Sequence, residues 1–347
     1  MKESLLILDE KVIKRNYGKI VKVAKKTICV LKANAYNHGD EAVFSALLEE
    51  GADTFAVANL SEGVRLKTFA KEAEKKVDVY ILGFVAKSDY SIAREYDLIV
   101  PIVSTQHYRQ IADLTHLPPL YVQADTGMNR LGIDYRDGEI NAIVKAAKEK
   151  AKNGFYGLWS HLFASSDDDI CAVQAKRLKG VCGAERVSLS ASEAVNKDFF
   201  LGERKRAGIS LYGYGRFAVN FGLKPPLTLK TFLIRVKKVF RGESVGYAPP
   251  YIVKTDCFIG TAPIGYADGI MRSYVGGKVY VLGRECEIVA VCMDMIMIKL
   301  DCVAKAGDTV VVFSKEGNLK RLTKNAGTIV YEGLTALGTR LKRVVKK

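Results

Sequence analysis

Between residue 10 and about residue 222, eight short apolar runs rich in β-branched residues alternate with amphipathic segments. The runs occupy residues 28–31, 55–58, 77–82, 98–102, 120–124, 155–160, 187–190 and 209–212. Helical periodicity fills the spaces between them, as in 62–76, 106–114, 139–152 and 173–182. Continuous rather than alternating apolar character marks strands covered on both faces, the condition of a parallel sheet wrapped in helices. Eight such β/α units predict a (β/α)8 TIM barrel. A doubly wound sheet is disfavoured, because no GxGxxG turn follows the first strand, and no sequence period suggests a solenoid.

Lys224-Pro225-Pro226 ends the alternation, since consecutive prolines stop both helix and strand. Beyond it the chain reads as closely spaced short strands at 231–240, 256–264, 278–282, 287–291, 295–300 and 309–313, with one helix at 319–325. The expected organisation is a barrel over 9–222 followed by a mostly antiparallel β domain over 223–347. An N-terminal strand within 1–8 is expected to join that β domain.

Composition removes several classes of function. No apolar run approaches the ~20 residues of a membrane span, and the apolar stretch 5–8 before Asp9-Glu10-Lys11 is too short for a secretory signal. The net charge of +15 raises nucleic acid as a partner, but the basic residues are dispersed and interleaved with acids. The densest cluster, Arg340 to Lys347, reads as a solvated tail. Seven cysteines at 29, 171, 182, 257, 286, 292 and 302 show no metal-ligand spacing and suit reduced thiols in a cytoplasm. A protein without bound metal, nucleic acid or membrane is expected.

Barrel enzymes gather their chemistry at the C-terminal ends of the strands. Lys32 ends the first run, with Tyr36 in an expected Asn-His-Gly loop before a helix beginning near Glu41. The fifth run leads into Asp125-Thr126-Gly127-Met128-Asn129-Arg130. The sixth ends at His161 and the seventh at Ser190-Ala191-Ser192, while Arg206 leads into the eighth through Gly208 and Ile209. A lysine amine forms a Schiff base with a carbonyl when its surroundings make it nucleophilic. Hydroxyl and amide donors after the last two strands suit a phosphate. The pair points to pyridoxal 5'-phosphate, with Ser192, the Gly208–Ile209 backbone and Tyr36 as phosphate ligands.

The stretch from Val30 to Asp40, with its Lys32-Ala33-Asn34-Ala35-Tyr36-x-His38-Gly39 core, resembles the cofactor motif of bacterial alanine racemases. The resemblance continues in order through Asp125–Arg130, Ser160-His161, Ser192 and Arg206–Gly213. It extends to Pro263-Ile264-Gly265-Tyr266-Ala267-Asp268-Gly269 and Cys292-Met293-Asp294. It implies a homodimer with shared active sites, acting on a small amino acid and supplying D-alanine as a peptidoglycan precursor. Lys32 would hold the cofactor and serve as one base; Tyr266, from the partner subunit, would serve the opposite face of Cα. Inversion needs a base on each face. A phenol is normally protonated, so His161 and Arg206 are expected to favour its ionised form. Arg206 would face the pyridine nitrogen, and Arg130 with the Met293 backbone would take the substrate carboxylate.

Two positions depart from the family pattern. Gln123 stands where many members carry a lysine that holds the substrate arginine; its carbonyl could accept a bond from Arg130. Thr339 aligns with a tyrosine that narrows the pocket mouth, which predicts a roomier site and activity on serine or a broader set. A fold-related decarboxylase is the second reading, but it calls for an acid at the pyridine nitrogen and a Cys-Glu-Ser motif. A non-catalytic cofactor-carrying barrel is the third, and such proteins lack a second domain.

Overall fold

The computed structural model describes residues 3–151, 154–181, 186–315 and 318–347. Eight parallel strands form the α/β part: Thr27–Val30, Thr54–Val57, Asp78–Ile81, Val100–Ile102, Leu120–Asp125, Phe155–His161, Val187–Ser190 and Lys205–Ala207. The eighth pairs with the first. The first pairs with the second and the second with the third. A single bridge between Tyr80 and Ile99 carries the order on to the fourth, and ladders continue through the seventh. The arrangement is the expected (β/α)8 barrel. Its first, second and fourth strands are buried at every position, which is why they read as unbroken apolar runs.

The eighth strand is not where hydropathy placed it. Residues Ile209–Tyr212 form a one-turn 3-10 helix, and the strand is the polar Lys205–Ala207 just before it. All three of its residues are buried. Lys205 meets Glu203 at 2.8 Å and Asp198 at 3.1 Å. Charge neutralised by partners is invisible to a hydrophobicity pattern.

The second architecture is a nine-stranded sheet, ordered Arg235–Val239, Cys257–Ala262, Ile296–Lys299, Arg284–Val291, Lys278–Val281, Thr309–Phe313, Leu227–Phe232, Leu5–Asp9, Lys342–Lys346. Its pairings are antiparallel except the last. Alternation is clear in Ile296–Lys299, where Ile296 and Ile298 are buried, as a sheet with one covered face requires. The basic tail is therefore no free end: Lys342–Lys346 is an edge strand lying parallel to Leu5–Asp9.

The chain divides into two units. One holds Ile13–Ala35 and Asp40–Leu223; the other holds the residues through Val12, Tyr36–Gly39 and Lys224–Lys347. Six cysteines are free thiols, and Cys182 lies outside the described residues. Among the described residues, no helix is long and apolar enough to cross a membrane.

Candidate active site

The first barrel strand ends in an unusual backbone. Lys32–Asn37 is a helical turn, but Ala33 to Asn37 have φ of 53°, 55°, 54°, 51° and 66°. It is a left-handed turn built without glycine, and it takes in Tyr36, which was expected in a loop; His38 and Gly39 then lead, as expected, into the helix Asp40–Glu49. Each such residue costs about 1–2 kcal/mol, less for asparagine, so the turn must be held from outside. The Ala33 amide donates to Glu62 at 2.7 Å and the Ala35 amide to the Leu31 carbonyl at 2.8 Å. Asn34 accepts from the Asp40 amide at 2.9 Å. The Asn37 amide donates to the carbonyls of Leu334 and Leu337, and its oxygen accepts from Arg343. Strain held in this way concentrates where a side chain must be aimed.

Lys32 is half-buried, and burial lowers its proton affinity. The Arg130 charge lowers it further, against an opposing pull from Glu62. Glu62 is the residue that the sequence reading missed. Its other oxygen accepts the Ala58 amide at 2.8 Å, and its own amide is capped by Asn59 at 3.0 Å. The Asn59-x-x-Glu62 spacing, typical of a helix N-terminus, was the available signal.

Arg130 is exposed, at the end of a loop gathered around one carboxylate oxygen. Asp125 Oδ1 accepts the amides of Gly127, Met128 and Asn129 at 2.8, 2.9 and 3.1 Å. Gln123 does not hold this arginine. Its side-chain amide donates to the Leu131 carbonyl at 3.2 Å instead. Behind the loop, Gln174 donates to Thr126 Oγ1 and to the His161 carbonyl, and Thr126 shares a bond with Ser160.

His161 closes the sixth strand. Burial, then the charges of Arg206, Arg130 and Lys32, push its pKa down to about 3. The imidazole is neutral at pH 7, so any positive charge from the expected His161–Arg206 pair comes from Arg206 alone. Arg206 is buried and stacks over Trp159 at 5.0 Å. It donates to Ser188 Oγ at 2.8 Å and to the carbonyls of Ser160 and Ser190 at 2.5 and 2.7 Å. Burial brings its pKa down to about 10, which leaves it a cation at pH 7.

Ser192 Oγ accepts the Gly208 amide at 2.8 Å, joining the ends of strands seven and eight. Ile209 then opens the 3-10 turn. Within it, the buried Ser210 Oγ has no hydrogen-bond partner among the described residues. Lys32, Arg130, His161, Arg206, Ser192 and Gly208 thus share one unit, with three cations whose charges reach the same imidazole. That field suits an anionic ligand. A lysine of lowered proton affinity, a fixed buried cation and an unsatisfied hydroxyl beside the Ser192–Gly208 link are a donor set that fits pyridoxal phosphate.

The other unit carries Tyr36, Tyr266 and Met293. Tyr36 is buried, and burial raises its phenol well above the ordinary tyrosine value. Its ring meets Tyr331 edge-on at 6.2 Å. Tyr331 and Thr339 are both exposed. Tyr266 is 44% exposed and lies on a one-turn helix, its amide bound to the Cys292 carbonyl at 3.0 Å.

Residues 8–216 match the family domain described as "Alanine racemase, N-terminal domain", and residues 226–345 match its C-terminal domain. The chain belongs to the alanine racemase family. Its family relatives are isomerases that depend on pyridoxal phosphate. Alanine racemase of Aquifex aeolicus is 31% identical, over 99% of this chain and all of that protein. Alanine racemase 1 of Bacillus subtilis is 30% identical, over 97% of this chain and 91% of its own length. The biosynthetic alanine racemase of Pseudomonas aeruginosa superposes with a TM-score of 0.89 at 28% identity, covering 100% of both chains. The alanine racemase of Bartonella henselae, solved with covalently bound pyridoxal phosphate, gives 0.88 at 26% identity and the same coverage.

Proposed function

We propose that this protein is a pyridoxal phosphate-dependent racemase interconverting L- and D-alanine by a two-base mechanism. The observation that carries the reading is Lys32, aimed by a left-handed turn and lowered in proton affinity, in one electrostatic cluster with Arg130, His161 and Arg206. Membership of the alanine racemase family supports it. In this reading 9–222 hold the cofactor, while 223–347, joined by the strand within 1–8, supply Tyr266 and Met293.

Lys32 would hold the cofactor, with Ser192, Gly208, Ile209 and Tyr36 around its phosphate and His161 beside the ring. Bound there, the cofactor supplies the electron sink that acidifies the Cα proton of the substrate. Arg206 would face the ring nitrogen and, as a permanent cation, deny it a proton. Arg130 and the backbone of the partner subunit's Met293 would orient the substrate carboxylate, since Met293 lies against the turn that carries Tyr266. Lys32, whose burial favours the free amine, moves the Cα proton on one face. The partner subunit's Tyr266 moves it on the other, which makes the active species a cytoplasmic homodimer producing D-alanine for peptidoglycan. Alanine is taken as the substrate because the chain belongs to the alanine racemase family; activity on serine or a broader set, expected from Thr339, is the alternative.

Purified protein loaded with cofactor should interconvert the alanine antipodes faster than any other amino acid in a panel. Borohydride should trap a covalent cofactor adduct that maps to Lys32. Absent racemisation, or a label on another lysine, overturns the reading.

A further inference from the structure

Arg340 lies in the stretch that the sequence assigns to a solvated tail, yet its guanidinium joins two loops of the β unit. Nε and Nη2 donate to the two oxygens of Asp268 at 2.9 and 3.0 Å, a bidentate pair. Nη1 donates to Asp294 at 2.8 Å. Asp268 is buried, and its Oδ2 also accepts the Gly265 amide at 2.9 Å. It closes the turn that carries Tyr266. Asp294 directly follows Met293.

The two loops already touch through backbone. The amides of Tyr266 and Ala267 donate to the carbonyls of Cys292 and Met293, both at 3.0 Å. Gly265 permits this approach, since a Cβ there would stand 2.3 Å from the Met293 carbonyl oxygen. The chain leading to Arg340 closes on the far side: the Gly338 amide donates to the Asp268 carbonyl at 3.0 Å, and a Cβ on Gly338 would meet the Ala267 carbonyl at 2.8 Å. Backbone bonds set the spacing of the two loops. The planar fork of Arg340, engaging both carboxylates at once, sets their relative orientation.

We infer that Arg340 is a positioning residue that holds Tyr266 and the Met293 backbone in register with each other. The inference rests on the roles proposed above for those two residues. It makes base placement and carboxylate placement a single mechanical unit, so that disturbing Arg340 weakens both together. Lysine offers a point charge and cannot make the bidentate pair and the Asp294 contact in one plane.

The test is Cα deuterium exchange from L- and D-alanine in heavy water, alongside full racemisation, for holoenzyme variants. Tyr266→Phe identifies the antipode whose proton Tyr266 takes. Arg340→Met should lose exchange from that same antipode by about tenfold or more beyond its effect on the other, since small misplacements cost that much, and its KM should rise. Arg340→Lys should fall between. Asp294→Asn, which leaves the buried Asp268 pair intact, should raise KM with little one-sided loss; it and Arg340→Lys decide the matter if Arg340→Met does not fold. A one-sided Tyr266→Phe with equal losses from both antipodes in the Arg340 variants overturns the positioning role. A symmetric Tyr266→Phe overturns the two-base reading and this inference with it.

Discussion

Glu62 accepts the backbone amide of Ala33 at 2.7 Å, fixing the first left-handed residue after Lys32 by a carboxylate from the next helix along the barrel. One oxygen steers the turn, the other holds the Ala58 amide, and the shared negative charge acts on the lysine. The same group therefore bears on both the backbone shape and the proton affinity at Lys32, though burial dominates the latter.

Removing that charge should lower the Lys32 proton affinity further, because burial and Arg130 already push it down and Glu62 alone opposes them. Glu62→Gln should move the midpoint for amine labelling of Lys32 in cofactor-stripped protein downward. Competitive labelling across pH, read by peptide mass spectrometry, measures it. An unchanged or raised midpoint would show that Glu62 acts only on backbone shape.

His161 should make the cofactor-stripped protein acid-sensitive. Its pKa is about 3 in the fold against an ordinary value of 6.5. As pH falls from 6.5 toward 3, the unfolded chain takes up a proton that the folded chain refuses, so stability drops and raising pH restores it. Each tenfold change in proton affinity is worth about 1.4 kcal/mol, so the full effect is a few kcal/mol. Urea unfolding between pH 4 and 7 (about the span of the window) should show a shallower pH slope for His161→Gln than for wild type. Equal slopes would contradict the neutral imidazole.

Shared sites predict complementation. Lys32→Ala and Tyr266→Phe should each be inactive in racemisation, and mixing them under conditions of subunit exchange should restore one competent site per heterodimer. With exchange verified by mass spectrometry, continued inactivity would exclude the partner subunit's Tyr266 as the second base.

Substrate size should respond to Tyr331 rather than to Thr339, since the Tyr331 ring meets Tyr36 edge-on at 6.2 Å. Tyr331→Ala should raise the serine-to-alanine ratio of kcat/KM by about 10- to 100-fold, the range that an altered apolar wall can supply. Thr339→Tyr should leave the ratio nearly unchanged. The reverse pattern would restore Thr339 as the selecting residue.

The barrel was legible in the chain because strands covered on both faces demand uninterrupted apolar runs, a local property of sequence. The placement of Lys32 at a strand end, and of Ser192 and His161 at two others, followed from the same runs. What escaped was decided by partners distant in sequence. The eighth strand hides because Lys205 and Arg206 are buried with their charges paired or hydrogen-bonded. The left-handed turn cannot be read from Ala33 to Asn37, whose residue types do not ask for it; Glu62, and the carbonyls of Leu334 and Leu337 far along the chain, hold it. Lys342–Lys346 has too little apolar content to announce a strand and becomes one by hydrogen bonding to Leu5–Asp9. Arg340 looks like solvated tail until Asp268 and Asp294 are brought to its two edges. Hydrophobic period is local, whereas charge compensation and backbone strain are settled only when the whole chain has closed around them.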